Sequence, residues 1–173
     1  ASSSITGGDT VGGVKTTVSY DTKTLSAEKR DLALGKISLK AGEEMKVNCG
    51  GSGCDLCQGA GGCKMEKGSV VKVDGGMARL PKLANGASKA PPMTMNLAKG
   101  ATLRVDRDQE LLGQIDGDLV VGAGTTTLAK IKGSANISIG VGAKVVFAGD
   151  GDSDVTMENE GELSFTGNTR FKN

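Results

Sequence analysis

From about residue 100 onwards, apolar and polar residues alternate in short segments broken by Gly, Asp or Asn. The segments are GATLRVDR (from 100), QELLGQID (109), GDLVVGAG (117), TTTLAKIK (125), GSANISIG (133), GAKVVFAG (142), DSDVTMEN (152) and GELSFTGN (161). Period-two alternation over a few residues marks a strand with one buried face, and regular breaks at this spacing mark an all-β chain. Two architectures have this rhythm: antiparallel hairpins packed as a sandwich, or a solenoid in which two or three short strands make each coil. Hairpins call for Asn-Gly or Asp-Gly at fixed loop positions and for aromatic cross-strand partners. Here Asp-Gly occurs only at 74–75, 116–117 and 150–151, and Asn-Gly only at 85–86. The pattern therefore predicts an all-β, parallel β-solenoid (β-helix) of short Gly-punctuated coils, with an antiparallel β-sandwich as the alternative.

The rest of the chain divides around that rhythm. Residues 1–25 are rich in Ser, Thr and Gly and read as an extended arm. Residues 26–75 read as the first coils, carrying a Cys-rich loop at 49–63, and 99–173 as the regular solenoid. Between them, 76–98 holds Pro81, Pro91 and Pro92 with Met77, Met93 and Met95 and reads as a loop between coils, its methionines packing on the flank rather than binding a soft metal. A short helical signal covers 26–34, with Ser26 as cap and Gly35 as stop. Lys-Gly pairs at 67–68, 99–100 and 132–133 recur at offsets of 32 and 33, which suggests two coils of sixteen per repeat.

Composition changes the picture mainly by exclusion. The 173 residues include 28 Gly, three Phe, one Tyr, no Trp and no His. Without His there is no Ser-His-Asp or Cys-His nucleophile pair and no mixed Cys/His zinc site. With so few aromatic rings the interior must be thin and aliphatic, and a cleft that stacks on sugars or bases is not expected. Asp116 and Asp118 could be imagined as a glycosidase pair, but the aromatic and basic cleft of such enzymes is missing, so no enzyme is expected. Charge is balanced at 21 basic against 20 acidic residues, with no basic run, and no nucleic-acid partner is expected. No apolar run approaches the ~18 residues of a membrane span. Ala1 without a preceding Met fits either a removed secretory signal or loss of an initiator Met.

Four cysteines fall within fifteen residues: Cys49, Cys54, Cys57 and Cys63, spaced C-x4-C-x2-C-x5-C. Four thiolates separated by flexible Gly can wrap Zn²⁺ or an iron–sulfur cluster in a reducing compartment, or form two disulfides in an oxidising one. The stretch Cys54-Asp-Leu-Cys57-Gln-Gly-Ala-Gly61 resembles one CxxCxGxG element of the zinc-binding region of J-domain co-chaperones. That region has four such elements and this chain one, so the resemblance implies only that Cys54 and Cys57 can share a metal. A second candidate is Asp150, Asp152 and Asp154, alternate carboxylates of the kind that open a Ca²⁺ loop. Val155 stands where an EF-hand needs Gly and Gly161 where it needs Glu, which leaves a looser surface Ca²⁺ site or a solvated acidic corner.

The stretch LLGQIDGDLVVGAGTTTLAKIKGSANISIGVGAKVV resembles the coils of bactofilins, polymer-forming bacterial cytoskeletal proteins, and VFAGDGDSDVTMENEGELSFTGNTRF resembles the β-helical passengers of secreted adhesins. Both resemblances are compositional and cover about the last 70 residues; both imply a parallel solenoid without catalytic residues, and the first implies end-to-end joining. A solenoid has an unpaired edge at each end. The tail carries Phe165 and Phe171 without an obvious capping helix, and the arm carries Val11, Val14 and Val18 in a strand-competent setting. The expectation is a structural protein that assembles head to tail with copies of itself through these residues, outside the cell or at its surface. The alternatives are a secreted adhesin or metal-binding module that uses the Cys-rich loop, and a cytoplasmic location.

Overall fold

The computed structural model describes residues 4–6, 10–11, 14–15, 18–20, 24–27, 32–34, 36–39, 41–42, 44–57, 63–83, 90–129, 131–148, 151–153, 156–166 and 169–171, with side chains described from Leu39 to Ser164 outside 48–52 and 151–157. Every element among them is a strand. The N-terminal strands are β1 (Ser4–Thr6), β2 (Thr10–Val11), β3 (Val14–Lys15), β4 (Val18–Tyr20), β5 (Thr24–Ala27), β6 (Leu32–Leu34) and β7 (Lys36–Leu39). The middle of the chain forms β8 (Glu44–Leu56), β9 (Lys64–Met65), β10 (Val70–Leu80), β11 (Met93–Leu97), β12 (Thr102–Asp106), β13 (Gln109–Leu112) and β14 (Asp118–Ala123). The last coils are β15 (Thr125–Ala129), β16 (Asn136–Ile139), β17 (Lys144–Ala148), β18 (Gly151–Ser153), β19 (Thr156–Asn159), β20 (Glu162–Thr166) and β21 (Thr169–Phe171).

The pairing decides between the two architectures. From β11 to β15 each strand skips its sequence neighbour and pairs in parallel with the one after it: β11 with β13, β12 with β14, β13 with β15, β14 with β16. β15 pairs with β17 by the same step, and once β18 adds a third strand to the coil the partners lie three strands apart, as in β16–β19, β17–β20 and β18–β21. A sandwich of hairpins would pair neighbours antiparallel; this is a parallel solenoid, as the alternation predicts. One face runs β5, β8, β10, β11, β13, β15, β17, β20, and a second runs β6, β8, β10, β12, β14, β16, β19. β8 and β10 belong to both because each bends round the corner as a single strand. In β10 the bend falls at register shifts around Gly75 and Gly76, where Gly76 takes φ +72°, a conformation that L side chains avoid.

Coil length differs from the sixteen suggested by the Lys-Gly echo. From β11 on, ladder partners are 16 to 20 residues apart, as in Thr102 with Asp118, Met93 with Leu111 and Asn136 with Thr156. Earlier coils are longer, with Leu25 facing Val47 and Lys46 facing Lys72. The echo arises because Lys67-Gly68 turns into the first face and Lys99-Gly100 into the second, so its members are not equivalent positions in successive coils.

Alternation carries each inward residue into a column. Ala78, Leu103, Leu119 and Ile137 stack on the second face, with Leu80, Val105, Val121 and Ile139 beside them, all essentially buried. On the first face Met93, Leu111, Leu128 and Phe147 form another column. Each Leu, Ile, Val, Met or Phe side chain withdraws enough apolar surface to contribute about 1.5–3 kcal/mol, while Ala78, at the head of its column, contributes less. This corrects the reading of 76–98 as a loop. Residues 76–80 complete β10 and Met93 and Met95 lie in the core, because they share inward parity with Leu97. The break in the rhythm narrows to the residues between β10 and β11.

The helical signal at 26–34 is also overridden. Thr24–Ala27 and Leu32–Leu34 are strands paired in parallel with β8, so coil-to-coil bonding wins over a weak local propensity. The arm pairs within its own chain: β1 is antiparallel to β7, β2 to β3 and β4 to β5.

Two turn glycines separate backbone freedom from close packing. Gly100 takes φ +90° with open space where a side chain would begin, whereas Gly133, at φ +112°, lies against the Ile115 carbonyl of the preceding coil. Gly100→Ala is expected to cost about 1 kcal/mol for the left-handed backbone alone. Gly133→Ala should lose about 1–3 kcal/mol more through the collision, and urea denaturation of the two variants measures the difference.

Candidate functional site

Among the described residues, two polar arrangements stand out against the aliphatic coil. The first is buried, where the chain between β12 and β13 carries Arg107 and Gln109 on the inward parity of Val105 and Leu111. Arg107 is 3% exposed. Its Nη1 donates to the carbonyls of Cys57 (2.8 Å) and Pro81 (3.3 Å), and its Nε to Gln109 Oε1 (3.0 Å). Gln109 Nε2 in turn donates to the Pro91 carbonyl at 2.8 Å. One guanidinium and one amide thus tie together the corners of three successive coils. No carboxylate pairs with Arg107 among the described residues; carbonyl dipoles, with the Met93 thioether 4.0 Å from Nη2, offset its burial. Desolvation pushes its pKa below the ordinary guanidinium value, down to about 10. It stays cationic at neutral pH, and its charge there opposes folding, an opposition that lifts as pH rises from about 10 towards the ordinary guanidinium range.

The Cys57 carbonyl held by Arg107 belongs to a disulfide. Cys57 and Cys63 are bonded, with Cα atoms 4.8 Å apart, and both are buried. Cys57 has φ +61°, which no other described non-glycine residue shares in sign. Cys54 is disulfide-bonded as well. The link closes the chain at the corner between β8 and β9, in the region where coils are longest.

The second arrangement is a half-open groove of about 940 Å³ at the corner between the faces. Lys72, Asn96 and Lys99 line it from the earlier coils, and Gln114, Asp116, Asp118, Ser134 and Asn136 from the later ones. Its wall is knitted from coil to coil. The Gln114 amide donates to Asn96 Oδ1 (3.1 Å), and Gln114 Nε2 donates to Asp116 Oδ2 (2.8 Å). The Ser134 amide donates to Asp116 Oδ1 and Asn136 Nδ2 to Asp118 Oδ1, both at 3.0 Å. The carboxylates imagined as a glycosidase pair are thus engaged in joining coils. On the second face outside the groove, Arg79 pairs with Asp55, and Arg104 with Asp106 at 2.8 Å. The Asp106 hydrogen bond and charge raise the Arg104 pKa.

The remaining sequence candidates are dispersed. Val11 and Val14 face each other across β2 and β3, and Val18 lies on β4. Phe165 is on β20, in register with Phe147, and Phe171 is on β21. Asp152 lies on β18, in register with Arg170, while Asp150 and Asp154 fall outside the described residues. For Cys49 only the backbone, on β8, is described. Among the described residues no group of His, Cys, Asp or Glu has the arrangement to hold a metal ion, and no helix is long and apolar enough to cross a membrane.

Sequence reasoning passed over Arg107 and Gln109. The signal was present: 103, 105, 107, 109 and 111 share one parity, so a strict alternation places both polar residues inside. The groove rows were likewise readable as Asn96 and Gln114, or Asp118 and Asn136, eighteen apart, once the coil length is known. Comparison with known proteins finds no matching family model, curated protein or solved structure.

Arg107→Met leaves the Cys57 and Pro81 carbonyls without their donor and is expected to destabilise by about 1.5–3 kcal/mol in chemical denaturation. Replacing Cys57 and Cys63 together by Ser opens a short closed loop while leaving the Cys54 disulfide, and should cost about 2 kcal/mol, read as a lower urea unfolding midpoint under non-reducing conditions.

Proposed function

We propose that this protein is a non-enzymatic structural element that joins head to tail with copies of itself into a filament or surface fibre. One observation carries the reading: the first face ends at both sides in a strand with a single partner. Among the described residues β20 pairs only with β17, and β4 only with β5. Unpaired strand edges are templates for further pairing. Setting β20 of one copy beside β4 of the next continues one sheet through both molecules. Because the arm strands pair within their own chain, the joint is edge to edge, and Val18 and Phe165 lie on the two strands that would meet.

The Cys57–Cys63 disulfide supports an oxidising setting, hence a place outside the cell or on its surface. A stapling role for the cysteines follows, in preference to a zinc or redox centre. The competing reading is a secreted adhesin or binding module, favoured by the polar groove. Electron microscopy and light scattering of the purified protein separate the two. Fibres whose length grows with concentration are expected. A monodisperse monomer at high concentration overturns the assembly reading and leaves the module.

A further inference from the structure

The groove is lined by neither β4 nor β20, the strands of the proposed joint, and its lining repeats along the solenoid axis. Lys72, Asn96 and Gln114 follow one another on successive coils, and Asp118 and Asn136 do the same on the opposite wall. Successive coils are spaced by about 4.8 Å, the separation of neighbouring strands. Part of the bonding capacity of these side chains joins the coils; the rest is open. Asn96 Nδ2, Asp118 Oδ2, Asn136 Oδ1, the Ser134 hydroxyl and the Lys99 ammonium have no intramolecular partner among the described residues. The wall therefore presents donors and acceptors interleaved at a fixed step. Its charges cancel, with Lys72 and Lys99 against Asp116 and Asp118.

A ligand that matches this surface is long, carries groups that both donate and accept, has no net charge and repeats at about the coil spacing. A polyanion would meet Asp116 and Asp118. An extended peptide advances only about 3.4 Å per residue and falls out of step. A hexose in an equatorially linked chain advances by close to one coil, and its hydroxyls suit planar amides and carboxylates. We infer that the groove binds an uncharged, unbranched glycan laid along the solenoid axis, one sugar ring per coil. The groove has no aromatic ring to stack on a sugar face, so binding rests on hydrogen bonds accumulated over length, and a single sugar is held weakly.

The experiment titrates the full chain with cello- and chito-oligosaccharides of increasing length, followed by calorimetry and by NMR shifts of the groove amides. Affinity is expected to rise with length and level off at about four sugars, the number of coils lining the groove. It should not change when salt is raised enough to screen charges. Lys99→Ala removes an exposed ammonium, and Asn96→Asp keeps the acceptor for the Gln114 amide while deleting the donor. Each should weaken binding by about tenfold, the worth of one or two hydrogen bonds, with the thermal midpoint unchanged for Lys99→Ala. Any of four results overturns the inference: no saturable binding by either series, affinity independent of length, affinity unmoved by both substitutions, or a preference for a polyanion such as heparin that salt abolishes. None of these depends on whether the protein forms fibres.

Discussion

Everything in this molecule depends on the parallel backbone ladder that joins each coil to the next in register. Once a strand is bonded to equivalent strands before and after it, the separation is set at about 4.8 Å and the side chains must stack like over like. The stack of Leu103, Leu119 and Ile137 is the direct outcome, as is that of Val105, Val121 and Ile139. A bulky ring in one coil would need a ring or a gap in its neighbours, and Phe147 is the one aromatic side chain described in the core. The same ladder acts outside, where it lines up Asp118 with Asn136 and Asn96 with Gln114 into rows.

The ladder tolerates variation only at corners. In the regular half, Gly113 and Gly133 let the backbone pass against the carbonyls of Met95 and Ile115, and the coil closes in about eighteen residues. The earlier coils hold more chain than the faces can use. The surplus is gathered at two corners, after β8 and between β10 and β11, and both are tied by polar links: the Cys57–Cys63 disulfide at one, Arg107 and Gln109 reaching Pro81 and Pro91 at the other. Arg107 also holds the Cys57 carbonyl, so the two tethers form one unit. A thin aliphatic core would not by itself order such insertions against their chain entropy.

The segments written out from residue 100 each contain a strand of the structure, because period-two alternation with a Gly break is what a half-buried coil side imposes. Coil length was not legible. Two strands eight or nine residues apart fit two or three sides equally, and only the register of Met93 with Leu111 reveals the closure. The Pro and Met content of 76–98 misled for a physical reason: proline speaks for its own neighbourhood, whereas Met93 and Met95 obey the parity of the strand that follows. The pairing of Cys57 with Cys63 depends on distance in space, which Cys spacing leaves open among several partners. The groove stayed hidden because its rows exist only between coils. Each of its residues, taken alone, is an ordinary exposed polar side chain.

Coils this alike raise a problem of counting. Leucine, valine and isoleucine at equivalent columns are nearly interchangeable, so a stack displaced by one whole turn would keep most of its ladder and much of its core. The Arg107–Gln109 pair does not survive that displacement. Moved one coil along, Arg107 would lose the Cys57 and Pro81 carbonyls and lie among aliphatic side chains, and an unsolvated cation there is intolerable. The buried guanidinium is therefore tied to one turn of the stack, the only one where the Cys57 and Pro81 carbonyls meet it among the described residues.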